Sequence, residues 1–285
     1  MKRNGSLKLN FRKIEKNQVF PYYNECATKM MAAYEYIQSC FVAEDVYTQG
    51  LCTLRNYFYG KNEAQERIIR ELKIGICGDN LDLDVLKDMG CYELGLITTN
   101  NFLLSGRYII PVYDIGNNLV SLIGYFPNDR KYMTVPGPWF SKNILFFNYR
   151  QAYELSWKEY NGLVFVVEGI FDCLSLRSIG LPCIATMGST VSETKRDLLK
   201  LFNKVIAIPD NDDVGRRSIS RNSEQGWKVP ENATFLRFHG ETTIDGVTYH
   251  CKDMDNLVTM FDEESVRLSL LDFRNCKEAV ADFYL

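Results

Sequence analysis

The stretch NGLVFVVEGIFDCLSLRSIGLPCIATMGS, residues 161–189, decides the fold. GLVFVVEG is a run of branched and aromatic apolar residues without polar alternation, the pattern of a strand covered on both faces. FDCLSLRSIG reads as a short helix closed by Gly180, and PCIATMGS as a second buried strand. Moving downstream, SETKRDLLKLFN (192–203) reads as a helix with Ser192 at its N-cap, and KVIAIPD (204–210) as a third strand. DVGRRSISRNSEQ (213–225) reads as a helix and ATFLRF (233–238) as a fourth strand. Strands alternating with short helices imply βαβ units and a parallel sheet. Such sheets bind ligands beyond the carboxyl ends of their strands.

Applied to the acidic residues, that rule makes three distant clusters converge. Glu168 ends the first strand. Asp210 and Asp212, in AIPDNDDVGRR (207–217), end the third, and Asp253 and Asp255, in KDMDNL (252–257), follow the fourth after a loop. Two carboxylates about 4 Å apart repel by about 1 kcal/mol in water and about 4 kcal/mol at an effective dielectric near 20. A cluster of this kind either protonates in part or binds a hard divalent cation, for which oxygen donors are the natural ligands. A single carboxylate just outside the cluster can instead accept a proton. Asp213 and Asp172 read as residues that open helices, favoured there by the helix dipole. Asp255 stands equally as a ligand or as a solvated helix start.

Upstream, residues 1–24 are polar and aperiodic and read as an extended arm. Met30, Tyr34, Ile37 and Phe41 recur at helical spacing, which predicts an amphipathic helix over Glu25–Phe41. A second helix is expected near Glu63–Leu72, with Arg67, Arg70 and Lys73 on a solvated face, and a third over LDLDVLKDMG (81–90), ended by Gly90. SGRYIIPVYDIGNNLVSLIGYF (105–126) holds two β-rich runs around DIGNN, a hairpin in an α+β region. Lys195, Arg196 and Lys200 read as another solvated helix face.

Composition limits the function. The chain has 285 residues, 46% hydrophobic and 24% charged, with a net charge of −3. It is therefore no polycation, and any nucleic-acid contact must come from local basic clusters. No apolar run is long enough for a membrane span, and the basic start MKRNGSLKLNFRK lacks the apolar core of a secretory signal. Nine dispersed cysteines read as reduced, packed thiols of a cytoplasmic protein. With no C-x-x-C pair and only His239 and His250, a structural zinc site is not expected.

Taken in order, VVEGIFDCLSL, ATMGST, PDNDDVGRR and KDMDNL resemble the successive motifs of a Toprim domain, in the version found in DnaG-type bacterial and phage primases. GRYIIPVYDIGNNLVSLIGYF, RKYMTV and FSKNILFFN resemble the smaller half of the same primase core. The resemblance implies an α/β Toprim domain, a parallel sheet flanked by helices, over residues 156–260. An α+β primase-core subdomain with a helical start would precede it over residues 1–155, and a short helical tail would follow over residues 261–285. It implies that Glu168, Asp210 and Asp212 are catalytic and, with Asp253 and Asp255, hold Mg²⁺ or Mn²⁺. Arg107, Lys131 and Lys142 then match basic positions that face template or nucleotide. Three positions depart from the family pattern. Asn211 replaces a common glycine, Thr134 a common asparagine, and Tyr125 a usual arginine.

The function implied is synthesis of short RNA primers from ribonucleoside triphosphates on single-stranded DNA. The motifs of a zinc ribbon and a helicase-facing domain are not seen. A separate zinc-ribbon protein or a replicative helicase acting in trans is therefore expected, as is a phage or mobile-element setting. The same acids would also serve a Toprim nuclease, and a chain that kept the fold without turnover would be a nucleic-acid-binding module.

Overall fold

The computed structural model describes residues 16–42, 63–77, 80–126, 131–135, 142–213, 215, 219, 226–238, 241–244, 247–278 and 280–283. The chain folds as two compact units. One comprises residues 1–57, 71–113 and 117–141, the other residues 58–70, 114–116 and 142–285. The division falls ahead of the expected one at residue 155.

The first unit is an antiparallel sheet beside a long helix. Helix α1 (Lys16–Ser39) begins nine residues before the expected Glu25, so residues 16–24 are helical rather than an extended arm. Met30, Ala33, Tyr34 and Ile37 are buried along one stripe, and the Tyr34 hydroxyl donates to the carbonyl of Lys73 at 2.8 Å. Helix α2 (Glu63–Glu71), most of which belongs to the second unit, and helix α3 (Leu83–Asp88) of the first unit lie where the sequence placed them, and Gly90 leaves α3 at φ +74°. Strands β1 (Phe41–Val42), β2 (Gly75–Cys77), β3 (Tyr108–Tyr113), β4 (Leu119–Phe126) and β5 (Lys131–Thr134) pair in sequence order, each antiparallel to the next. The DIGNN turn joins β3 and β4 as a hairpin, with Asn117 at φ +65°. Helix α1 packs on β4, whose seven residues from Leu119 to Tyr125 are all buried.

The main sheet of the second unit is parallel throughout. Strands β6 (Leu163–Val167), β7 (Cys183–Ala185), β8 (Lys204–Ile208), β9 (Ala233–Phe238) and β12 (Val280–Phe283) lie in the order β12-β9-β8-β6-β7. All five residues of β6 are buried because both faces are covered, and this is why its sequence shows no alternation. On one face, Val164, Val166, Val205 and Ala207 pack with Tyr149, Ala152, Leu199, Phe202 and Trp227. Tyr149 and Ala152 come from helix α4 (Tyr149–Glu159), and Leu199 from helix α6 (Glu193–Leu199). Helix α5 (Ile170–Ser178) packs against β6 and β7 and also against helix α7 (Met254–Met260). Ser192 caps α6, its hydroxyl accepting from the backbone of Lys195 at 3.3 Å.

Several elements differ from expectation. Strands β10 (Glu241–Ile244) and β11 (Val247–His250) form a separate antiparallel hairpin before α7. The expected helical tail is helical only in its first part, α8 (Glu263–Asp272), after which Val280–Phe283 adds β12 to the sheet beside β9. Of the helix expected over 213–225, Asp213 and Gly215 are helical, and most of the remainder lies outside the described residues. Among the described residues, no helix is long and apolar enough to cross a membrane.

Candidate active site

Strand register brings the first two acidic clusters together. Val167 pairs with Ile208, so Glu168, one residue past the end of β6, lies beside the chain that reaches Asp210 two residues past the end of β8. The backbone N–H of Asp210 donates to the Glu168 carboxylate. Gly215 folds back over this loop so closely that a Cβ there would overlap the Asp210 carbonyl, and its N–H donates to Asp212 Oδ1 at 2.9 Å. The third cluster closes in through Lys252, whose carbonyl accepts from the backbone of Asn211 at 2.7 Å. Asp253 caps α7, accepting from the Asn256 N–H at 2.9 Å.

The electrostatics are those of crowded like charges. Burial, reinforced by the charge of Asp210, pushes Glu168 up to about 7. Burial and Asp253 push Asp210 up to about 6. Glu168 Oε1 is buried without a hydrogen-bond partner. The Lys252 ammonium stands 3.5 Å from Asp210 Oδ2 and 3.6 Å from Asp212 Oδ2. Partial burial opposes its charge, but Asp210, Asp212 and Asp253 outweigh that and hold its pKa above the ordinary lysine range.

Sequence reasoning missed one member of the cluster. Asp172, in the first turn of α5, is only 7% exposed, and it accepts from the backbone N–H of Asp255 at 2.9 Å. Burial, with Asp253, Asp210 and Asp255 adding to it, holds its carboxyl well above the aspartate range. The helix-opening position was readable, but the inward direction of its side chain depends on α7 packing against α5. Asp255 itself is not at a solvated helix start. It is 7% exposed and accepts from the Ser175 hydroxyl.

The basic candidates divide between the two units. Arg107 precedes β3 in the first unit. Its stem lies against Gly124, its guanidinium is 5.8 Å from the centre of the Phe126 ring, and one terminal nitrogen is buried without a partner. Lys131 opens β5, paired with Phe126. Tyr125, where an arginine is usual, is buried with its ring centre 4.8 Å from that of Tyr132, so it fills core. Lys142 belongs to the second unit, where it is exposed and its charge acts on Lys195. Lys195 does not lie on a solvated face as expected. It is 1% exposed.

Among the described residues, no three His, Cys, Asp or Glu side chains are already arranged to hold a metal ion together. The donor chemistry nonetheless suits a hard divalent cation. Glu168 offers a buried oxygen with no partner, two carboxyls are raised by burial and by neighbouring carboxylates, and the oxygens of Asp210 and Asp212 face a lysine cation. Glu168, Asp210 and Asp212 would hold such an ion, with Asp253 beside them.

Residues 165–238 match the family model described as Toprim-like. The DNA primase of Clostridium acetobutylicum is 24% identical over 248 residues, covering 74% of this chain and 41% of that protein. The DNA primase of Thermotoga maritima is 28% identical over 146 residues, covering 49% of this chain and 26% of that protein. The chain thus spans less than half the length of these relatives. Among solved structures, the RNA polymerase domain of Mycobacterium tuberculosis primase DnaG superposes with a TM-score of 0.64 at 18% identity, covering 86% of this chain and 82% of that one. A DnaG primase catalytic domain bound to single-stranded DNA gives 0.61 at 19% identity, covering 86% and 77%. The fold is that of the DnaG-type primase catalytic core, with its Toprim domain at the parallel sheet.

Proposed function

We propose that this chain is a primase catalytic core that joins ribonucleotides into short RNA primers on a single-stranded DNA template. The observation that carries the reading is the meeting of Glu168, Asp210 and Asp212 at one sheet edge, with Asp253 at the start of α7 beside them and an unpartnered oxygen on Glu168. In this reaction a 3′-hydroxyl attacks the α-phosphate of a ribonucleoside triphosphate and pyrophosphate leaves. Bound Mg²⁺ or Mn²⁺ would supply charge stabilisation at the phosphate and acidify the attacking hydroxyl.

The protein's own groups position and neutralise. Glu168, with a pKa near 7, is poised to hold or release a proton at the pH of the reaction. Asp210 and Asp212 present carboxylate oxygens on a loop locked by Gly215, and Lys252 screens their mutual repulsion. Lys142 supplies positive charge for phosphates in the second unit, and Arg107 and Lys131 offer it in the first, the common division of labour in phosphoryl transfer. The solved primase domain bound to single-stranded DNA supports the assignment of the template.

The test is incubation with single-stranded DNA, labelled ribonucleotides and Mg²⁺ or Mn²⁺, beside Asp210→Asn. Short RNA from the wild type, lowered by about 10³-fold or more in the variant, is expected. Shortened DNA would assign a nuclease instead, and binding without either product a non-catalytic module.

A further inference from the structure

The loop after β7 touches the candidate site through the main chain. The Thr186 N–H donates to the Val167 carbonyl at 2.9 Å, and the Met187 N–H donates to the Glu168 carbonyl at 3.1 Å. The Thr186 hydroxyl donates to the Gly188 carbonyl and lies 3.5 Å from the Glu168 carbonyl oxygen. Met187 adopts φ +58°, a left-handed conformation that is costly for a non-glycine residue. A strained turn persists only where its surroundings determine it. Beneath it lies Lys195, whose Nζ donates to the Thr186 carbonyl at 2.5 Å and sits 5.1 Å from the centre of the Phe146 ring.

We infer that Lys195 is a positioning residue, whose buried side-chain nitrogen anchors the Thr186–Met187 turn and, through it, the main chain that carries Glu168. The inference rests on the primase reading for its effect on turnover, but not for its effect on the turn. Burying an amine at 1% exposure with no carboxylate partner among the described residues works against stability. Burial and the charge of Lys142 lower its pKa to about 7. A methionine of similar length would fill the same space without that penalty. A lysine retained for packing alone has no reason to be there. The Thr186 carbonyl supplies one, because Thr186 and Met187 also bond the main chain at Val167 and Glu168.

The experiment compares wild type, Lys195→Met and Lys195→Gln in amide hydrogen exchange without metal, in thermal melting and in primer synthesis. Lys195→Met is expected to speed exchange at the Met187 amide about tenfold and to leave the melting temperature unchanged or raised. It is also expected to lower kcat about ten- to a hundredfold, with KM for template unchanged, as for a small misplacement of a reacting group. Lys195→Gln, which keeps an N–H donor, is expected to disturb exchange less. Unchanged Met187 exchange in Lys195→Met, or a melting temperature that falls in step with kcat, would overturn the inference. If the wild type makes no primer, the functional reading fails, while the exchange comparison still decides the positioning role.

Discussion

The two five-stranded sheets bring chemistry together in opposite ways. In the antiparallel sheet, neighbouring strands end at alternate edges, so residues close in sequence meet across a hairpin. Arg107 and Gly124 touch because β3 and β4 are paired in that way. In the parallel sheet all carboxyl ends share one edge, so Glu168 and Asp210 become neighbours although a long stretch of chain separates them, and the chain leaving the β10–β11 hairpin brings Asp253 to them. Like charge can therefore accumulate at the parallel edge, whereas basic residues in the antiparallel unit are placed one at a time by close packing. This difference predicts that the parallel edge is brittle to backbone change and the antiparallel unit tolerant.

The largest effect is expected at Gly215. Its missing Cβ lets the helix start pass over the Asp210 carbonyl, a backbone atom that cannot swing aside. Gly215→Ala should push the loop off Glu168 and lower primer synthesis about a hundredfold, with the fold retained by circular dichroism. At Gly124 an added Cβ would instead meet the Arg107 and Leu104 side chains, at 2.7 and 2.9 Å, both able to shift. Gly124→Ala should therefore weaken template binding by about three- to tenfold through Arg107 and leave kcat near wild type, measured by fluorescence anisotropy and steady-state kinetics. Equal losses at the two glycines would remove the contrast between the sheets.

How much of this was legible followed the same physics. Unbroken apolar runs expose the parallel strands, and the rule about carboxyl ends draws Glu168, Asp210 and Asp212 together from sequence alone. Ser192 and Gly180 marked helix ends through their own chemistry. Side chains whose direction depends on tertiary packing were not legible. Lys195 lies in a helix rich in charge, and nothing in TKRDLLK says that one lysine turns inward under Thr186. Asp172 looked like a dipole-favoured helix opener and instead faces Asp255 across two packed helices. Pro21 and its polar neighbours mask the start of α1, because a proline past the first turn removes a backbone hydrogen bond and reads as a break. The β10–β11 hairpin carries its own signal, two strand-like runs separated only by Asp245 and Gly246.

The smallest predicted effect separates acidic from basic burial by pH. Glu168 and Asp210 have folded pKa values of about 7 and about 6, above their ordinary 4.5 and 3.8. Between those limits the folded protein holds more protons than the unfolded chain, so this contribution is complete at low pH and is lost as pH rises through 6 and 7. Lys195 runs the other way, since its folded pKa of about 7 lies below 10.5. The unfolded chain then holds the extra proton, and stability from this group is regained as pH climbs above 7. Together they give the metal-free protein a stability minimum near neutrality, with each arm on the order of 1–2 kcal/mol after allowance for solvent. Urea unfolding in EDTA at pH 5, 7 and 9 should show the minimum. Glu168→Gln should flatten its acidic arm and Lys195→Met its alkaline arm. Added Mg²⁺ should stabilise the protein more at pH 8 than at pH 5, because protons and metal compete for the same oxygens. A maximum at pH 7 in EDTA would mean that the crowded acids are relieved in some way other than protonation, and the contrast between the two sheets would lose its electrostatic basis.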